Sequence, residues 1–84
     1  MNAAVKLVVD WVTLLEQLRD AGIRTGTISE RTGVAVSTLR EYRLGIKSPL
    51  HSSGEAIVRF WCESTGKDRE FVPMTEQLPN AHQR

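Results

Sequence analysis

Basic side chains are concentrated in the middle third of this 84-residue chain. Six arginine and lysine residues against three glutamates give residues 24–59 a net charge of +3, whereas residues 1–23 and residues 60–84 each carry −1. Grouped guanidinium and ammonium groups attract anions. The charge distribution therefore suits an anionic partner, although the whole chain carries a net charge of only +1.

Catalytic and metal-binding chemistry finds little support in the sequence. It contains no paired carboxylates, no nucleophile with a neighbouring base and no phosphate-cradling glycine loop, so we do not expect an enzyme. His51 has no second histidine or cysteine at ligand spacing, and Cys62 is the only cysteine, which excludes an internal disulfide. We therefore expect no metal, no cofactor and no small-molecule substrate. The reducing cytoplasm is the expected compartment.

The N-terminal stretch AAVKLVVDWV is apolar but short. It is interrupted by Lys6 and Asp10, and no small-residue cleavage site follows a long apolar region. We therefore expect neither a signal peptide nor a membrane-spanning segment.

Apolar residues at helical spacing predict a first helix from about residue 3 or 4 to Ala21. Its expected buried stripe comprises Val8, Val12 (or Trp11), Leu15 and Leu18. Because clustered β-branched valines weaken the first turns, the alternative is a shorter helix that Asp10 caps.

Two short helices follow, separated by Gly33. The first is expected to begin at a capping Thr25 or Thr27 and to end just before the glycine, and the second to run from about Val36 to Leu44. A glycine within helical sequence costs about 1 kcal/mol relative to alanine. A tight turn in which the backbone must adopt positive φ would explain why glycine occurs at this position.

A fourth helix is predicted to begin at Ser52. Ser52 and Glu55 have the spacing of a capping box, and Gly66 ends the helix. The remainder contains two prolines and no sustained period, so we expect an irregular or extended C-terminal arm whose last six or so residues are mobile.

These elements together predict an all-α fold. Residues 1–66 form a compact domain of four or five helices, and residues 67–84 form the C-terminal arm. The only strand signal is a weak one in the segment FVPM.

The spacing around Gly33 matches a known pattern. Ser29 stands four residues before the glycine, Val34 directly after it, and Leu39 six residues after it. With these residues, the segment TGTISERTGVAVSTLREYRLGIKSP resembles the helix-turn-helix core of the lambda-repressor-like family, which includes Cro and other phage repressors. The resemblance extends from the end of the first helix to the fourth. Thr25 stands where many members have glutamine.

The resemblance implies that the third helix enters the major groove of double-stranded DNA. It places four side chains toward base edges: Val36, Ser37, Arg40 and Glu41. In the major groove an arginine can pair with guanine, a serine can hydrogen-bond to a base or a phosphate, and a valine can pack on a thymine methyl group. Phosphate contacts are assigned to five residues: Arg24, Thr25, Arg43, Lys47 and Ser48.

Each of these assignments has a structural alternative. Arg40 can be a solvated surface residue, and Ser37 and Thr25 can be helix caps. Glu41 can accept from the amino group of cytosine or can orient Arg40. Tyr42 fits a core ring better than a base stack.

A homodimer is the expected oligomer, because one helix-turn-helix reads only a few base pairs. Members of the family bind palindromic operators as two-fold dimers. The candidate dimer surface comprises Phe60, Trp61, Phe71, Val72 and Met74. The alternative is that the arm folds over its own fourth helix and closes the core of the monomer.

The sequence therefore favours a sequence-specific DNA-binding transcriptional regulator, a small repressor of phage or plasmid type. An antitoxin that represses its own operon and a Cro-like phage switch fit this reading equally well. The competing class is a protein-interaction adaptor that keeps the helical fold and presents Arg40 and Arg43 to an acidic protein.

Overall fold

The computed structural model describes residues 6–77, which form a mostly helical fold with one small sheet. Its elements in chain order are β1 (Lys6–Val9), α1 (Trp11–Asp20), α2 (Thr25–Thr32), α3 (Val36–Arg43), α4 (His51–Thr65), a 3₁₀ turn (Arg69–Phe71) and β2 (Met74–Gln77). The two strands pair antiparallel. The prediction of mainly helical architecture is confirmed, and the prediction that it is purely all-α is wrong.

The segment before α1 is a strand rather than the first turns of a helix. β1 pairs with β2 so that Val8 lies opposite Thr75, in keeping with the preference of β-branched residues for strands. Asp10 ends the strand and caps α1: its carboxylate accepts from the backbone N–H of Thr13 at 3.0 Å and from its hydroxyl at 2.9 Å. The shorter, Asp10-capped helix is therefore confirmed; residues 3–5 lie outside the described residues.

The predicted bend at Gly33 is confirmed. Its φ is 81°, and its N–H donates to the Ser29 carbonyl at 2.8 Å. The predicted threonine caps are wrong, because Arg24 occupies the capping position with extended backbone and no side chain caps α2. Thr25 is already the first helical residue and Thr27 lies within the first turn, so neither hydroxyl is in the capping position.

Gly33→Ala should lower the free energy of unfolding by about 1–2 kcal/mol, since a Cβ at positive φ is strained. A Cβ there would meet no atom within 4 Å, so the strain comes from the backbone alone. Gly26 is the matched control: it lies in α2 without positive φ, also in open space. Gly26→Ala should leave stability unchanged or raise it by up to about 1 kcal/mol. Urea denaturation measures both; equal effects would contradict the account of the turn.

The start of α4 differs from its prediction. The helix begins at His51, Leu50 occupies the capping position without a side-chain cap bond, and the capping box of Ser52 and Glu55 does not form. Ser52 lies inside the first turn, and Glu55 instead accepts two hydrogen bonds from Arg69, at 2.8 and 2.9 Å. α4 ends at a left-handed glycine, Gly66, as predicted.

The core lies where α1 and α2 each pack against both α3 and α4. Its fully buried side chains are Leu14, Leu18, Leu39, Ile57 and Trp61. The indole N–H of Trp61 donates to the side-chain oxygen of Gln17 at 3.0 Å, which satisfies its one polar atom.

The segment after α4 is more ordered than predicted. The 3₁₀ turn contacts α4, Val72 is buried in the same core, and β2 follows it. The predicted mobility of the last residues lies outside the described residues. Within residues 6–77, no helix is long and apolar enough to span a bilayer.

Candidate nucleic-acid interface

α3 presents one face to solvent and the other to the core. Leu39 and Tyr42, three residues apart, are buried, whereas Ser37 and Arg40 are exposed. Residues three apart lie on the same side of a helix, so this spacing turns Ser37 and Arg40 outward together. Val36, at the first position of the helix, is half-buried.

Four arginines from three parts of the chain line a single open groove of about 360 Å³, here called the arginine groove. Its lining comprises Arg19, Gly22, Ile23, Arg24, Thr25, Arg40 and Arg43. Arg19 comes from the last turn of α1, Arg24 directly precedes α2, and Arg40 and Arg43 come from α3. The turn at Gly22 brings the end of α1 beside the start of α2, and the bend at Gly33 brings α3 to the same groove.

Among the described residues, no arginine of the groove forms an ion pair with a carboxylate. The three pairs are Arg31–Glu63 at 3.5 Å, Lys47–Glu41 at 3.2 Å and Arg69–Glu55 at 2.8 Å. None of them involves a groove arginine. Unpaired guanidinium groups that converge on one groove attract phosphate or carboxylate groups and can bind them in a two-pronged manner.

Glu41 does not contact Arg40, the side chain it was expected to orient. Its carboxylate pairs with Lys47 in the loop after α3 and does not clamp Arg40. Both side chains are about half-exposed, so the pair contributes little to stability and can exchange for other partners.

The candidate phosphate contacts fall into two groups. Arg24, Thr25 and Arg43 line the arginine groove. Lys47 and Ser48 lie in the loop after α3 and line a second groove, whose opposite wall is the β1–β2 sheet. The first group is therefore brought together where the start of α2 meets the last turn of α3, and the second lies in the loop just after that turn.

The candidate dimer residues are also divided by the structure. Phe60, Trp61 and Val72 are buried in the core of the chain itself, whereas Phe71 and Met74 are exposed. Phe60 and Trp61 are adjacent in the sequence, and both are buried because α4 is covered on two sides, by α1 and by α2. The arm does close over its own fourth helix, which was the alternative expectation.

Arg19 is the residue that sequence reasoning missed. It lies at the end of the first helix, where a basic residue is also expected for its interaction with the helix dipole. The available signal was its position three residues before the predicted stop at Gly22, with Arg24 directly beyond the turn.

Within residues 6–77, no cluster of three or more histidine, cysteine, aspartate or glutamate side chains could hold a metal ion. Comparison of the chain with protein-family models, curated proteins and solved structures finds no match.

Proposed function

We propose that this chain is a sequence-specific regulator of the lambda-repressor-like helix-turn-helix type that binds double-stranded DNA. One observation carries the proposal: the exposed face of α3 adjoins a groove lined by four arginines that have no carboxylate partner among the described residues. A helix flanked by phosphate-binding groups has the arrangement needed to enter a major groove and be held there.

In this proposal the outward face of α3 reads the bases. Arg40 binds the O6 and N7 atoms of guanine, and Ser37 hydrogen-bonds to the neighbouring base or a phosphate. Val36 packs on a thymine methyl group, and Glu41 exchanges Lys47 for the amino group of cytosine. The exposure of Ser37 and Arg40 supports these roles.

Apart from Arg40, the side chains that line the arginine groove hold the sugar–phosphate backbone. Arg24 and Arg43 supply charge, and the first N–H groups of α2, which no side chain caps, are available to a phosphate beside Thr25. Lys47 and Ser48 contact a second stretch of backbone from the loop after α3. Both contact groups lie near the C-terminal end of α3 and set its register on the duplex.

The regulator acts as a homodimer on a palindromic operator, and it represses by occupying that operator. The competing proposal, an adaptor that binds an acidic protein, uses the same arginines. A mobility-shift assay with random-sequence duplex DNA, titrated with salt, separates the two. We expect retardation at low salt that weakens steeply as salt rises; an adaptor would give no retardation at any salt concentration.

Arg19→Ala should weaken binding to all duplexes by about fivefold and reduce the slope of log affinity against log salt by about 0.9, the loss of one phosphate contact. Arg59→Ala is the matched control, because Arg59 is exposed on α4 and outside the groove. Fluorescence anisotropy with labelled DNA measures both. Equal slopes for the two variants would remove Arg19 from the interface.

A further inference from the structure

The arginine groove brings together four like charges, and none of the described residues that line it is acidic. Asp20 directly follows Arg19 in the sequence but lies outside the lining of the groove. Glu41 is next to Arg40, and its carboxylate pairs with Lys47 instead. Because like charges repel one another, an anion that neutralises several of these arginines at once stabilises the folded protein.

Two other open grooves of the protein differ because carboxylates line them. Asp10 and Glu76 lie with Lys47 in the groove beside the β1–β2 sheet. Glu55 lines an apolar groove between the start of α4 and the sheet, where it already pairs with Arg69. At both grooves a carboxylate opposes an incoming anion, so a small anion is drawn to the arginine groove.

The size of the arginine groove indicates which kind of anion fits it. A volume of about 360 Å³ corresponds to a width of roughly 9 Å, across which a DNA strand, with one charge per about 3.4 Å of helix axis, brings two or three charges. A diphosphate or triphosphate group carries about three or four charges in a shorter length, and its oxygens can accept paired N–H bonds from guanidinium groups. We infer that the arginine groove of the DNA-free protein binds a di- or triphosphate anion, and that this anion and DNA exclude each other.

The exclusion of DNA by the anion rests on the proposed function. In that function Arg40 turns to a base while Arg24 and Arg43 bind the DNA backbone, so the guanidinium groups that surround a polyphosphate are engaged elsewhere on DNA. Because the anion binds only the DNA-free state, the affinity for DNA falls as the anion concentration rises. Free inorganic polyphosphate and the phosphate tail of a nucleotide share the chemistry that the groove recognises.

Isothermal titration calorimetry with inorganic pyrophosphate, in the absence of DNA, tests the binding step. We expect one site with a Kd on the order of 100 μM, and sulfate at matched ionic strength should bind roughly 10-fold more weakly because it carries fewer charges. Arg24→Ala should raise the Kd for pyrophosphate about 10-fold through the loss of one charge-assisted contact. Arg24 is exposed, so this substitution leaves the core intact.

Lys47→Ala and Arg59→Ala are the matched controls for Arg24→Ala. Each removes one positive charge from an exposed position outside the arginine groove. Because charges beyond the groove are screened by salt, the Kd for pyrophosphate should change by less than about twofold. Pyrophosphate that binds no more tightly than sulfate overturns the inference, and so does equal binding to Arg24→Ala and to the wild type.

A titration with adenosine diphosphate distinguishes the two sources of the anion. Binding at least as tight as that of pyrophosphate identifies the phosphate tail of a nucleotide as the ligand. Weaker binding identifies the free inorganic anion, because the nucleoside then only hinders access to the groove.

Competition with DNA separates this inference from the proposed function. At ten times its Kd, pyrophosphate should raise the apparent Kd for random-sequence duplex DNA about 10-fold, relative to sodium chloride of the same ionic strength. DNA binding that pyrophosphate leaves unchanged overturns the inference, and the proposed function stands. If pyrophosphate binds and DNA does not, the anion site stands and the proposed function fails.

Discussion

Arg40→Ala should lower the affinity for the operator by about 10- to 100-fold and should relax the base preference at one position of each half-site. Arg40 lies on the exposed face of α3 and lines the arginine groove. A bidentate contact to guanine contributes about 1–3 kcal/mol of discrimination. Fluorescence anisotropy with the operator and with single-base variants of it measures the loss position by position.

Lys47→Ala is the matched variant for Arg40→Ala. It should weaken all duplexes alike, since a phosphate contact carries no sequence information. The loss should be small, because Lys47 is half-exposed and pairs with Glu41 in the free protein. If neither variant changes DNA binding, the placement of α3 as the recognition helix is wrong. If Arg40→Ala weakens all sequences equally, Arg40 is a phosphate contact and not a base reader.

Trp61→Ala should have the largest effect on stability, about 3–5 kcal/mol in the free energy of unfolding. Trp61 is completely buried, and its indole N–H is the partner of the Gln17 side chain, so the substitution leaves both a cavity and a lost hydrogen bond. Domains of this size are stable by only about 5–15 kcal/mol, so a large part of the stability would be lost. Urea denaturation followed by circular dichroism gives the change.

Phe71→Ala is the control for Trp61→Ala. Phe71 is aromatic and close in sequence but 61% exposed, so its loss should change stability by less than about 1 kcal/mol. If both substitutions had the same effect, the packing of α4 between α1 and α2 would be wrong.

The bend between α2 and α3 was predictable from the sequence because its causes are local. Gly33 accepts positive φ, and its N–H bonds to the Ser29 carbonyl four residues earlier. Leu39 and Tyr42, three residues apart, turn toward the core of the protein. Each of these features depends only on residues close together in the sequence, so the sequence pattern predicts all of them.

The sheet was not predictable, because its partners are about 70 residues apart along the chain. Each strand has only four residues, too few for a clear alternation of apolar and polar side chains, and Val8 fits a helical stripe as well as a strand. The strand identity of β1 depends on pairing with β2, a non-local contact. The predicted capping box of α4 did not form because the helix begins at His51, before Ser52, and Glu55 binds Arg69, which the fold brings back to α4.

The arginine groove was predictable only in part. Arg24, Thr25, Arg40 and Arg43 were assigned from the sequence to the DNA-binding surface, and the structure brings them to one groove with Arg19. Lys47 and Ser48 lie at a separate groove. The sequence pattern predicts which side chains point outward. Which of them come together in one groove depends on how α1, α2 and α3 pack.

In the proposed function, α3 reads the sequence of double-stranded DNA. Selection from a randomised duplex pool, followed by sequencing of the bound fraction, tests it most directly. We expect enrichment of a two-fold symmetric motif with half-sites about one helical turn apart. When the selection is repeated with Arg40→Ala, we expect one conserved position of each half-site to be lost. A bound fraction that stays as random as the starting pool would contradict it.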